Sequence, residues 1–156
     1  MNSKPLNVLL ADDDLDDCAF FKKALEELPV STNLHTVRNG EQLFNYLSEH
    51  SPYGDPDILF LDISMPGKTG IECLSEIKES LTLKNMPVAM FTISFPYNPE
   101  FETNMKNMLS TIGAEHYISK SPDFEKLKKA IHDVLIQVAQ KKLLKEKEQQ
   151  LSPSKK

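Results

Sequence analysis

Four places in this chain put reactive side chains just after short apolar runs. Asp12, Asp13 and Asp14 follow the run that ends at Ala11, Asp62 follows residues 58–61, Thr92 follows residues 88–91, and Lys120 comes soon after residues 116–118. If these runs are strands of one parallel sheet, acids, a hydroxyl and an ammonium meet beyond its carboxyl edge, where such sheets bind ligands. Carboxylates gathered there repel one another and raise a pKa, and a divalent cation relieves the conflict. The ligands are all oxygen, with no His or Cys nearby in sequence, which favours Mg²⁺, or Mn²⁺, over Zn²⁺. Each residue alone has a plainer reading. Acids over 12–17 suit a helix N-terminus, and Asp62 suits a turn before Pro66-Gly67. Thr92 could bond to backbone, and Lys120 could be solvated. Their joint placement at four strand ends is what argues for a site. A calcium-binding EF-hand is excluded, because a loop starting at Asp12 needs Gly at position 17 and Glu at position 23, where this chain has Asp17 and Lys23.

The elements that must position these groups are legible as alternating patterns. Residues 6–10 predict a buried strand. Cys18, Phe21, Leu25 and Leu28 then recur at helical spacing, and Pro29 ends that helix. Residues 34–37 predict a second strand, and Asn39-Gly40 opens a helix with Leu43, Tyr46 and Leu47 on one face. After a loop over residues 51–56, the continuous apolar run 58–61 predicts a strand covered on both faces. Thr69 and Glu72 form a capping box for a helix faced by Ile71, Leu74, Ile77 and Leu81. Pro87 opens the strand 88–91, and residues 94–99 predict a loop. Phe101, Met105, Met108 and Ile112 predict a helix that Gly113 ends. Residues 116–118 predict a fifth strand. Ser121 as N-cap, with Pro122 at the first helical position, opens a last helix with Phe124, Leu127, Ile131, Val134 and Val138 on one face. Strand and helix repeated five times imply a parallel sheet with helices on both faces.

Composition narrows the class. The chain has 156 residues, with 18 basic against 23 acidic residues for a net charge of −5. That sign argues against a nucleic-acid partner. No apolar run approaches the roughly 18 residues of a membrane span. The N-terminus lacks the basic start and long apolar stretch of a secretory signal, so the expected location is cytoplasmic. Cys18 and Cys73 are isolated and read as reduced core thiols. Residues 1–139 are expected to form the domain. Over residues 140–156 the apolar seam fades and six lysines oppose two glutamates. This stretch predicts a helical extension to about residue 150 and a disordered basic end. It serves either as a solvated helix end or as a contact for a partner or a second copy in a homodimer.

With these residues in view, the chain resembles a response-regulator receiver domain of two-component signalling. The resemblance covers about residues 6–138 and rests on VLLADDD, LFLDISMPGKTGIECL, PVAMFT and HYISK in that order. It implies a flavodoxin-like doubly wound α/β fold with a five-stranded parallel sheet in the order 2-1-3-4-5, five helices and here an extended C-terminal helix. It further implies Asp62 as phosphoacceptor and Asp12 and Asp13 as the acidic pair that holds Mg²⁺. Ser64 would lend a backbone carbonyl to the metal. Thr92 and Lys120 would bind phosphoryl oxygens, and Tyr117 would be the aromatic switch residue. The run of three aspartates leaves the frame of the acidic pair open by one residue, and the strand end at Ala11 favours Asp12 and Asp13. The stretch TVRNGEQLFNYL, and Ser121 where most receivers have proline after the lysine, resemble single-domain regulators that partner bacterial phytochrome kinases.

The resemblance implies a phosphohistidine donor on a sensor histidine kinase or histidine phosphotransfer protein. Residues 88–138 would then be the surface that switches for a downstream protein target. Two readings from other classes stand beside it. A phosphatase or phosphotransferase enzyme would usually carry D-x-D at the nucleophile strand, whereas Asp62-Ile63-Ser64 lacks the second acid. A receiver-like interaction module without phosphorylation would be expected to have lost an acid or the lysine.

Overall fold

The computed structural model describes residues 4–50, 56–93 and 98–151. Their elements alternate as the patterns require: β1 (Leu6–Ala11), α1 (Leu15–Glu27), β2 (Thr32–Val37), α2 (Gly40–His50), β3 (Ile58–Leu61), α3 (Gly70–Glu79), β4 (Val88–Ile93), α4 (Pro99–Ile112), β5 (His116–Lys120) and α5 (Phe124–Leu151). The strands form one parallel sheet in the order β2-β1-β3-β4-β5. This is the doubly wound, flavodoxin-like architecture expected from the sequence.

Successive strand residues point to opposite sides, which splits the core into two layers. Val8, Leu10, Phe60, Phe91 and Ile118 face α1 and α5, where Phe21 meets the rings of Phe60 and Phe91 edge-on at 4.8 and 5.5 Å. Leu9, Ala11, Leu59, Leu61 and Met90 face the other way, against Leu43, Leu47, Leu74, Ile77 and Leu109. β3 is buried at all four positions, as its unbroken apolar run requires.

Local signals set most helix ends. Asp14 caps α1 by accepting the N–H of Asp17, and the Thr69–Glu72 capping box opens α3 with both reciprocal bonds formed. Gly113 ends α4 at φ 135°, a conformation that favours glycine. Four expectations need correcting. Leu81 does not line the face of α3, because Ser80 already caps that helix and Leu81 beyond it is exposed. β2 begins at Thr32, two residues early, because its whole length pairs with β1. Pro99 belongs to α4 as its first residue, with Asn98 as cap, rather than to the preceding loop. Ser121 does not cap α5. Asp123 does, accepting from the N–H groups of Glu125 and Lys126 at 3.0 and 3.2 Å, while Ser121 Oγ accepts from Asp123 N. A carboxylate nearer the helix start displaces the Ser-Pro signal. The loop reading of residues 51–55 and 94–97 and the disorder reading of 152–156 lie outside the described residues.

α5 continues to Leu151. Its buried stripe runs through Leu127, Ile131, Val134, Leu135 and Val138, whereas Leu143 and Leu144 are exposed. Lys142 ties the helix to Asp57 at 3.2 Å before β3.

Cys18 on α1 packs toward one core layer and Cys73 on α3 is buried in the other. Burial pushes each thiol up to about 11, so both stay protonated at neutral pH. Peptide mapping of the native protein without reductant is therefore expected to find both cysteines free. A Cys18–Cys73 disulfide would contradict this topology, because the sheet lies between them.

Candidate functional site

Parallel pairing brings the carboxyl ends of β1, β3, β4 and β5 to one edge. Backbone bonds place the acids there. Asp12 N donates to Val37 O and Asp62 N donates to Ala11 O, both at 3.0 Å, so each aspartate is the residue at which its ladder ends. Asp12 is fully buried and Asp62 nearly so, whereas Asp13 is exposed. Asp12 Oδ1 accepts from Asp14 N at 2.9 Å, and Asp62 Oδ1 receives a longer contact from Ser64 N at 3.4 Å. Oxygens of Asp12, Asp13 and Asp62 lie within 4.8 Å of one another.

Lys120, the last residue of β5, reaches into this cluster across the ring of Phe91. Its ammonium lies 2.8 Å from Asp17 Oδ2, 2.9 Å from Asp12 Oδ2 and 3.5 Å from Asp62 Oδ2. Burial alone would lower the Lys120 pKa. The bonds to Asp17 and Asp12 outweigh it and raise the pKa, so the lysine is charged. Burial raises Asp12, and it pushes Asp62 up to about 6, where Lys120 pulls it down and the Asp12 charge pushes it further up.

The residues fit a divalent cation. Asp12, Asp13, Asp17 and Asp62 together outweigh the one charge of Lys120. Among the described residues the buried Asp12 Oδ2 has no partner but the Lys120 ammonium 2.9 Å away, which it shares with Asp17 and Asp62. A buried carboxylate oxygen left in that state is costly, and a cation with oxygen ligands would satisfy it.

Thr92 is buried at the end of β4, paired across the ladder with Ser119. Tyr117 is half-buried on the α4 side of β5, under the ammonium of Lys106. Its hydroxyl is buried and has no hydrogen-bond partner among the described residues. Ser64 is exposed beside Asp62. The edge therefore gathers Asp12, Asp13, Asp62, Ser64, Thr92 and Lys120, with Tyr117 one layer behind.

Two residues escaped the sequence reading. Asp17 was legible only as an acid in a helical first turn, yet it makes the shortest contact to Lys120. Gly70 passes so close to β3 that a Cβ there would lie 2.1 Å from the Asp62 carbonyl oxygen. The only available hint was a glycine next to the capping Thr69.

The pattern of the response regulator receiver domain matches residues 8–132. The chain belongs to that family. Receiver domains are the phosphoacceptor modules of two-component signalling, and the reading as an interaction module without phosphorylation is not favoured. Response regulator Rcp1 of Synechocystis is 29% identical over 96 residues, 60% of this chain and 65% of Rcp1, so the match spans less than two thirds of that relative. The phosphorylated cyanobacterial phytochrome response regulator RcpA superposes with a TM-score of 0.69 at 28% identity, over 84% of this chain and 91% of RcpA. A Mn²⁺-bound form of Rcp1 superposes with a TM-score of 0.70 at 25% identity, over 83% and 91% of the two chains. The acidic cluster of this receiver accordingly suits a divalent metal site. Among the described residues no helix is long and apolar enough to cross a membrane.

Proposed function

We propose that Asp62 accepts a phosphoryl group from a phosphohistidine on a sensor histidine kinase or histidine phosphotransfer protein. The observation that carries this reading is Asp62 itself, a nearly buried carboxylate between two further aspartates and an ammonium at a sheet edge. An ionised Asp62 oxygen attacks phosphorus in line, the bond from phosphorus to the imidazole nitrogen breaks, and its electron pair stays on that nitrogen. Held by Asp12, Asp13, Asp62 and the Ser64 carbonyl, Mg²⁺ (or Mn²⁺) would neutralise the charge that spreads over the phosphoryl oxygens.

Lys120 donates to one phosphoryl oxygen and the Thr92 hydroxyl to another. The acyl phosphate adds about one to two negative charges at the edge. Movement of Thr92 toward it opens space for Tyr117, whose half-buried ring on the α4 side of β5 supports a side chain with a second place to go. That local change biases the surface of residues 88–138, which a downstream protein target then reads. The domain catalyses only its own phosphorylation and hydrolysis and is otherwise a signalling switch rather than an enzyme.

Residues 1–139 form the receiver, and 140–156 an extension with a basic end. The exposed Leu143 and Leu144 support a protein contact on the extension, with the target or with a second copy. Net charge supports a protein partner over nucleic acid, and the phosphorelay reading goes with a cytoplasmic location.

Incubation with acetyl phosphate and Mg²⁺ is expected to add one phosphoryl group, detected by intact mass. Asp62→Asn should abolish it. Undiminished labelling of that variant would move the acceptor elsewhere.

A further inference from the structure

We propose that Asp17 is a positioning residue that holds the Lys120 ammonium off the nucleophilic carboxylate of Asp62. This deepens the phosphoacceptor reading and rests on it. An ammonium has three N–H donors. In Lys120 the two shortest contacts go to Asp17 at 2.8 Å and Asp12 at 2.9 Å, which leaves Asp62 Oδ2 at 3.5 Å, beyond a charge-assisted hydrogen bond. Those contacts decide whether the nucleophile is free. An ammonium seated on Asp62 Oδ2 would draw charge from the carboxylate and make it a weaker nucleophile toward phosphorus.

Asp17 is suited to the task by its position. It stands in the first turn of α1, where free amides favour a carboxylate, and its own N–H is bound to the capping Asp14 at 3.0 Å. Its side chain is 35% exposed, whereas those of Asp12 and Asp62 are 0% and 5%. It can therefore follow the ammonium toward a phosphoryl oxygen without a large desolvation cost. Without its charge, the ammonium has only the two buried carboxylates left and settles on both.

A bystander carboxylate predicts the opposite sign. A negative charge near the edge repels an anionic phosphodonor, so its neutralisation would speed phosphoryl uptake. The positioning role predicts that Asp17→Asn slows uptake from acetyl phosphate by about tenfold, the scale of one charge-assisted hydrogen bond, and that Asp17→Glu restores most of the rate. A second readout needs no phosphorylation. In metal-free protein at pH 8, the ¹³C resonance of the Asp62 carboxyl should shift in Asp17→Asn, as the ammonium moves onto it, and return in Asp17→Glu. Uptake equal to or faster than wild type, or an unshifted Asp62 resonance, would overturn the inference. If wild-type protein takes up phosphoryl at another residue, the functional assignment fails, while the resonance still decides what Asp17 does.

Discussion

Replacing Gly70 with alanine is expected to destabilise the domain by about 3 kcal/mol, the upper end of ordinary overpacking. In a chain of this size that lowers the melting temperature by about 6–12 °C. The reason is a backbone crossing rather than a side-chain fit. An alanine Cβ would sit 2.1 Å from the Asp62 carbonyl oxygen and 2.6 Å from Ile63 Cα. Neither is the end of a flexible side chain, so strand or helix must shift. The shift carries function with it, because Gly70 N also donates to Ile63 O at 2.8 Å and holds the start of α3 beside the acceptor. Thermal melts with and without Mg²⁺ should therefore show two losses in Gly70→Ala, a lower baseline and a smaller metal response. A variant that melts like wild type would mean that this crossing is not as close as described.

Metal and proton should oppose each other at the same oxygens. Burial pushes Asp62 up to about 6 from 3.8, so the folded, metal-free protein holds this proton more tightly than the unfolded chain does. The stability Asp62 contributes is therefore fully present below about pH 4 and is lost as pH rises through about 6. Two pKa units correspond to a loss on the order of 2–3 kcal/mol across that window. Asp12, raised by burial as well, acts in the same direction. Bound metal reverses the slope, because it binds the deprotonated acids and stabilises only the folded state, by about 2.7 kcal/mol at 100 times Kd. The Mg²⁺-induced rise in melting temperature should thus be near zero at pH 4.5 and large at pH 7.5. Asp62→Asn should flatten the metal-free pH dependence, and Asp13→Ala should remove most of the metal-induced rise. Melting curves in EDTA and in millimolar Mg²⁺, against a monovalent salt of equal ionic strength, test both. Equal responses to the two salts, unchanged in Asp13→Ala, would remove the metal from the site.

What the sequence determined by itself is whatever depends on neighbours within a turn or a strand. Apolar runs of period two or unbroken length mark the strands, so Asp12, Asp62, Thr92 and Lys120 could be assigned to strand ends, and parallel strands must put those ends at one edge. The Thr69–Glu72 box closes over four residues and needs nothing else to form. The opposite placement of Cys18 and Cys73 follows once the strand order 2-1-3-4-5 is given, because that order puts α1 and α5 on one face of the sheet and α2, α3 and α4 on the other.

The tertiary structure alone decided the contacts that depend on how the sheet twists and how closely its layers pack. Asp17 and Lys120 lie 103 residues apart in the chain, and no local pattern says that an acid in a first helical turn will reach the end of the last strand. Gly70 looks like any loop glycine until the packing of α3 against β3 leaves no room for a Cβ. Asp123 displaced Ser121 as the cap because α5 begins only at Phe124, which puts the Asp123 carboxylate within reach of Glu125 N and Lys126 N. Local hydrogen-bond preferences and side-chain periodicity act over a few residues, whereas the distribution of one ammonium among three carboxylates is set by ångström differences between elements brought together only by folding.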